Sequence, residues 1–289
     1  KPIYKNTLLD YKFYEIDYHN KVRIVRLYTT KFFNNDITKV INYIIFFLNS
    51  LFFFFFWEKK KYDFIIGESA PPLIGLSALI CCLKKKSKFI YQIRDPWPIC
   101  LYYSNLLSQK SLTYLILEFI NKLLIKYSKF IISTLPNLKS YYKSKYKYDK
   151  EIYHLPNGCD VLKINNLIKN KKIKFENNSS RLIYAGGFSP SHQVLNYFKA
   201  IKYIQDNHHN LNISYTFIGN GIDLIQCQNY VKKNNLKKIK FLKSINKSKI
   251  YGLLLKNNLG VCTITQDKNE IFGYNLNKFY DYIACGLPI

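Results

Sequence analysis

At 289 residues, 48% of them hydrophobic, the chain has enough apolar mass to bury two cores of ordinary domain size, which excludes a disordered or fibrous protein. Its formal charge of +26 calls for anionic partners such as phosphates, acidic polymers or lipid headgroups. However, the lysines stand singly or in short runs (59–61, 84–86), with no zinc-finger spacing, basic heptad region or RNA-binding aromatic pattern, so nucleic acid is not an expected partner. Seven cysteines without a CxxC, and five histidines apart from them, exclude a disulfide framework and a structural metal and fit reduced, buried thiols in a cytosolic protein.

There is no methionine, even at position 1, so the chain reads as a fragment. Residues 1–28 form a strand-and-turn region, with a strand at 22–27. Residues 40–57 are almost wholly apolar and end in Trp57, Glu58 and three lysines. The run approaches the length of a bilayer span and has the aromatic and lysine edge of a membrane interface, but Asn42, Asn49 and Ser50 interrupt it. Three readings stay open: a buried crossover helix, a helix lying in one leaflet, and a true span. Residues 62–67 are the short apolar run of a buried parallel strand. Pro71 and Pro72 make a loop before a helix at 73–83, and Glu68 either contacts an acceptor or caps that helix. The strand at 88–95 is stopped by Pro96 and Pro98, which leaves Asp95 at a strand's carboxyl end, where open parallel sheets bind ligands. A helix at 106–127, a strand at 129–133, a helix at 135–145 and a strand at 151–155 follow. Residues 163–180, rich in Lys and Asn, read as a surface excursion and linker.

A second alternation then begins. The strand at 181–187 runs into Gly186 and Gly187, and its helix carries Val194, Leu195, Phe198, Ile201 and Ile204 as an apolar stripe. A strand at 212–219 ends in the tight turn Asn220–Gly221. A helix to 234, a strand at 238–242, a helix at 246–256 and a strand at 259–264 lead to a last helix within 274–289. There Asn275 or Asn277 can cap the start, Gly286 and Pro288 stop the end, and Phe279 and Ile283 share a core face. Asn277, Lys278 and Asp281 gather on the other side. The fold class is therefore α/β, with two Rossmann-like domains whose parallel sheets face each other across a cleft. Residues 1–160 make an N-terminal, acceptor-side domain, 161–180 a linker, and 181–289 a C-terminal domain.

Chemistry concentrates on the carboxyl edge of the second sheet. Gly186 and Gly187 let a phosphate approach the backbone, Gly219 and Asn220 end the next strand on the same edge, and the last helix adds Asn277, Lys278 and Asp281. A cation, a carboxylate, an amide and free N–H groups suit a phosphate together with sugar hydroxyls. There is no GxGxxG, no Walker loop and no GxSxG elbow, which argues against a dinucleotide dehydrogenase, a P-loop ATPase and a serine hydrolase.

Read together, several segments resemble the family 4 glycosyltransferases of GT-B architecture, in particular the subgroup that makes bacterial surface polysaccharides. They are Ala70–Pro–Pro–Leu–Ile–Gly75, Ile93–Arg–Asp–Pro–Trp–Pro98, Leu155–Pro–Asn–Gly–Cys–Asp160, Tyr184–Ala–Gly–Gly–Phe188 with His192, Phe217–Ile–Gly–Asn–Gly221, and Asn277, Lys278, Asp281, Tyr282, Gly286 and Pro288 of the last stretch. The resemblance runs from about residue 28 to 289. It implies a retaining hexosyl transfer from a nucleotide-sugar to a lipid-linked or saccharide acceptor. No metal or cofactor is needed if Lys278 and helix N-termini carry the phosphate charge, and the +26 charge with the 52–57 aromatic run adds the expectation of a protein peripheral at the cytoplasmic face of an anionic membrane. On that resemblance Asp281 meets the donor ribose, Lys278 and the Gly186 and Gly187 amides meet the diphosphate, and Gly219, Asn220, Asn277 and His192 complete the donor site. Asp95, where the first domain faces the donor sugar, is the catalytic-site residue, binding the sugar or the acceptor near the reaction centre. Two departures stand out: the acidic partner eight residues before Asp281 is Gly273, and Ser189, Pro190 and His192 replace an Arg and Lys pair after the glycines. The strand that should open the first domain, and elements after Ile289, are missing from the family pattern. A nucleotide-sugar epimerase of the same fold and a non-catalytic nucleotide-sugar or nucleic-acid binding protein are the alternatives.

Overall fold

Two four-stranded parallel sheets, each with helices connecting its strands, carry the architecture of this computed structural model, which describes residues 13–30, 36–170, 180–263 and 268–289. The chain divides into two compact units, Lys1–Pro156 with Ile271–Gly273, and Asn157–Glu270 with Tyr274–Ile289.

The first unit opens with an antiparallel hairpin of β1 (Tyr14–His19) and β2 (Val22–Leu27), turned at Asn20 and Lys21, both with positive φ. Helix α1 (Asp36–Phe56) follows. Then β3 (Phe64–Glu68), α2 (Pro72–Lys85), β4 (Lys88–Ile93), α3 (Ile99–Tyr103), α4 (Leu112–Tyr127), β5 (Phe130–Ser133), α5 (Leu138–Tyr146) and β6 (Ile152–His154) complete a sheet of order β3-β4-β5-β6. Tyr91 and Ile131 from the sheet and Leu124 and Leu138 from the helices have no exposed surface and form its core. Phe272 joins that core, its ring 5.0 Å from Tyr141.

Four expectations change here. The strand near 62–67 is an edge, not a buried strand: β3 pairs only with β4 among the described residues, and Phe64 and Ile66 are 49% and 53% exposed. The helix expected over 106–127 starts at Leu112, because the Ser111 hydroxyl accepts from Tyr114 N–H at 3.2 Å and caps it there. Glu68 is not a cap, since α2 begins after Pro71 without a side-chain capping bond. Finally, α1 is not a buried crossover, for only 11% of its most apolar window is buried.

The second unit contains α6 (Val161–Asn170), β7 (Ser180–Ala185), α7 (Leu195–Asn207), β8 (Ile213–Ile218), α8 (Leu224–Lys233), β9 (Ile239–Leu242), α9 (Lys247–Leu254), β10 (Leu259–Gly260) and α10 (Asn277–Ala284). Its sheet runs β10-β7-β8-β9, all parallel. The stretch expected to be a surface excursion begins instead as α6, whose Ile164 is fully buried beside Ile183 and Leu254, while residues 171–179 lie outside the described part. The last strand is two residues long, and Ile264, expected to end it, is also outside the described residues. Phe198, Phe217 and Phe241 stack between α7 and the sheet, with ring centroids 4.4 to 5.9 Å apart.

An ion pair ties the hairpin to the residues after α1. Arg23 Nη1 of β2 lies 2.6 Å from the buried carboxylate of Glu58, just beyond α1. Burial alone would raise the Glu58 pKa, but the Lys60 N–H and Arg23 outweigh it and hold it below 4.5. A depressed carboxyl contributes stability above its unfolded pKa and loses it as pH falls through the folded one. Acid titration of stability is therefore expected to show a loss beginning below pH 4.5 that Glu58→Gln removes. An unchanged acid limb in that variant would refute the assignment.

Candidate functional site

Strand β7 runs directly into the two glycines. The Gly186 N–H donates to the Ile218 carbonyl at 2.9 Å, so the ladder continues one residue past the strand and this amide is not available to a ligand. That corrects the expectation that both glycine amides bind phosphate; the Gly187 N–H bonds none of the described residues. Gly219 and Gly221 have φ of +150° and +155°, and an added Cβ would lie 1.8 Å from the Gly186 oxygen and 2.0 Å from the Phe188 oxygen respectively. These glycines let the loop after β8 lie on the loop after β7, and the Phe188 N–H donating to the Asn220 carbonyl at 2.9 Å joins them. Gly219 and Asn220, expected to bind the donor, shape the glycine loop instead and do not line the cavity beside it.

The last helix turns the opposite way from its expected orientation. Phe279 and Ile283 are 44% and 55% exposed, whereas Lys278, Asp281, Tyr282 and Cys285 form the buried stripe. Tyr282 decides this. Its ring fills the hollow at Gly260, where a Cβ would lie 2.4 Å away, and its hydroxyl accepts the Ala185 N–H at 2.9 Å. Helical spacing then places Lys278 one turn earlier on the same face and Asp281 beside it. Neither asparagine caps α10, whose N-cap is Leu276. Asn275 instead accepts the Asn157 N–H at 3.1 Å, and its buried Nδ2 has no partner among the described residues. Asn277 is exposed on the first turn.

Between the glycine loop, α9 and α10 lies a cavity of about 430 Å³, lined by Gly186, His192, Ile245, Lys247, Ile250, Leu254, Asn275, Asn277, Lys278 and Asp281 among others. Of the expected residues, the structure brings Gly186, His192, Asn277, Lys278 and Asp281 to it, with Gly187 behind His192. Asp95 belongs to the first unit. It stands exposed at the end of β4, its carbonyl accepting from the Ser69 hydroxyl at 2.8 Å.

The cavity has three kinds of wall. At one end the Lys278 ammonium lies 4.4 Å over the Tyr184 ring and 3.3 Å from its hydroxyl, which donates to the Gly187 carbonyl at 2.6 Å. No carboxylate among the described residues pairs with this ammonium, and burial holds its pKa below 10.5. Gly186 makes the room, since a Cβ there would sit 2.9 Å from Nζ. Burial, then the Lys278 charge, keep the His192 pKa below 6.5, so its ring is neutral at pH 7. At the other end Asp281 Oδ1 accepts from the Tyr251 hydroxyl at 3.2 Å and lies 3.2 Å from Lys247 Nζ. Burial opposes the Lys247 charge, but the bond to Asp281 prevails and the Lys247 pKa rises above 10.5. Ile245, Ile250 and Leu254 form the apolar wall. Such a space takes an anion at Lys278, hydroxyls at Asp281 and a flat ring against the aliphatic side chains.

Sequence reasoning missed Lys247, Tyr251 and the aliphatic wall. The available signal was position: α9 follows β9 on the same carboxyl edge, with Lys247 and Tyr251 one turn apart at its start.

No protein-family model and no curated protein matches the sequence. Solved structures do match. The E. coli trehalose-6-phosphate protein bound with UDP-2-fluoro glucose is 11% identical at a TM-score of 0.63, over 87% of this chain and 62% of that one. WaaG, a glycosyltransferase involved in lipopolysaccharide biosynthesis, is 12% identical at 0.52, over 75% and 64%. A trehalose-6-phosphate synthase studied with bisubstrate glycomimetics for glycosyl transfer with retention is 12% identical at 0.59, over 88% and 62%. The chain thus spans less than two thirds of each of these structures. At these identities the likeness establishes the fold, GT-B, with two Rossmann-like units.

A buried, unpaired ammonium disfavours the empty protein. Lys278→Met, which keeps an unbranched side chain one atom shorter and loses the charge, is expected to raise the melting temperature by about 2–4 °C, the shift of roughly 1 kcal/mol in a chain of this size. A lower melting temperature would mean that Lys278 stabilises the unit rather than waiting for an anion.

Proposed function

We propose that the protein is a retaining glycosyltransferase of the hexosyltransferase type. It moves a sugar from a nucleotide-sugar donor to a lipid-linked or saccharide acceptor in cell-surface polysaccharide biosynthesis, as a member of the family 4 group it resembles. The observation that carries this reading is the buried Lys278 ammonium without a carboxylate, sharing one cavity with Asp281 and an aliphatic wall. The donor diphosphate sits at Lys278 and the Gly187 N–H, the ribose hydroxyls at Asp281 and the base against Ile245, Ile250 and Leu254. As the bond from the anomeric carbon to phosphate oxygen breaks, negative charge grows on the diphosphate, and Lys278 is the group that stabilises it. Neutral His192 donates to the donor sugar or its phosphate without adding charge. Asp95, exposed at its strand end, acts on the donor sugar or the acceptor.

The UDP-2-fluoro glucose bound to one structural neighbour supports a nucleotide-sugar donor, the retention studied in another supports the stereochemistry, and the lipopolysaccharide role of WaaG supports a surface-glycan acceptor. Seven free cysteines suit the reducing cytoplasmic side, where the reading places the protein.

Melting the protein with UDP, GDP and their sugar conjugates tests the donor site. One nucleotide is expected to stabilise it by roughly 2.7 kcal/mol at a hundredfold excess over Kd, and Asp281→Asn to remove most of that shift. Turnover of that donor, lost in Asp95→Asn while the melting shift persists, separates an enzyme from a binding protein. A cooperative melt that no nucleotide moves would overturn the donor-site reading.

A further inference from the structure

Helix α1 has two unlike faces. On one, Asn42 Nδ2 donates to the Thr30 carbonyl and Asn49 Nδ2 to the Tyr28 carbonyl, each at 2.8 Å, and Phe53 is buried at 3% exposure. On the other, Ile37, Ile41, Ile44, Leu48 and Phe52 fall on one stripe and are 44% to 73% exposed, and Phe56 at the helix end is 65% exposed. An 18-residue window of the helix reaches a mean hydropathy of 1.8 with 11% of it buried. At 1.5 Å per residue the exposed apolar run from Ile37 to Phe56 is about 30 Å long, a contiguous surface of the kind that marks an interaction site.

Cations collect at its carboxyl end. Trp57 is 43% exposed, and the three lysines at 59–61 are all exposed. From the end of α2, Lys84 Nζ donates to the Phe55 carbonyl at 2.9 Å and lies 3.9 Å over the Phe55 ring. The acid among them, Glu58, is buried against Arg23 and offsets none of this outward charge. The asparagine bonds hold the helix side-on to the unit, so a bilayer can receive its outer face but not pass around it.

We propose that this face of α1 seats in the plane of an anionic phospholipid bilayer. The aromatic and aliphatic side chains enter the boundary between headgroups and acyl chains, Trp57 lies at headgroup level, and the lysines face lipid phosphates. Charge complementarity selects this occupant: an apolar stripe with exposed lysines at its carboxyl end matches a surface that is apolar within and anionic at its edge. The inference does not rest on the donor-site reading, and Asp281→Asn is expected to bind vesicles like the unaltered protein.

The chain has two tryptophans, so Trp97→Phe leaves Trp57 as the sole reporter. With phosphatidylglycerol vesicles at low salt, its emission is expected to shift blue and to be quenched by lipids brominated near the headgroup. Phosphatidylcholine vesicles should do neither. Lys59→Glu, Lys60→Glu and Lys61→Glu together are expected to weaken binding about a hundredfold, since each lysine near an anionic surface contributes roughly fivefold. Phe52→Asp with Phe56→Asp is expected to abolish the blue shift while melting remains cooperative. The proposal is overturned if the cooperatively melting protein ignores anionic vesicles at low salt, or if both sets of variants bind unchanged. Light scattering that shows a dimer lost in the phenylalanine variants would assign the face to a second copy instead.

Discussion

A single buried cation organises the second unit. Lys278 cannot sit where it does unless Gly186 lacks a side chain, Tyr184 offers its ring and hydroxyl, and α10 presents that face inward. An ammonium in such a place, with no carboxylate among the described residues beside it, disfavours folding by itself. It is tolerated because the surrounding contacts are strong: Tyr184 and Tyr282 are both fully buried and both hydrogen-bonded to the backbone of the β7 strand and loop. The polar requirement of a ligand site is thus met on a framework of aromatic packing.

The other pole of the cavity obeys a different logic. Asp281 is paired with Lys247 and receives the Tyr251 hydroxyl, so its charge is already balanced before any ligand arrives. One end of the cavity is positive and unpaired, the other neutral as a pair yet rich in hydrogen-bonding groups. That polarity orders a ligand along the cavity, with its anionic part toward the glycine loop. Glycines serve two different ends here. Gly186 leaves space for a side chain, whereas Gly219 and Gly221 permit backbone to meet backbone.

In the first unit the same strand-and-helix grammar leaves a different kind of surface. Its core closes around Tyr91, Leu124, Ile131 and Leu138, yet the exposed sides of α1 and β3 remain apolar and are bordered by lysines. Contiguous exposed apolar surface of this kind marks a place of interaction rather than a part of the core.

Alternation of apolar runs and helical stripes, with glycine and proline punctuation, was enough to read two Rossmann-like units, because those signals are local in the chain. It also led to the Gly186–Gly187 loop and to the last helix as parts of one sheet edge, since a strand's direction implies where its end lies. What only the tertiary structure decided was which face met which neighbour. Phe279 and Ile283 share a face with helical spacing, but spacing does not say that the hollow at Gly260 admits Tyr282 and so turns that face outward. Nor can sequence order reveal that the Gly186 amide is already bonded to Ile218, or that Lys247, more than thirty residues before Asp281, becomes its partner. Those are long-range contacts, and their energies depend on shapes that exist only once the sheet has formed.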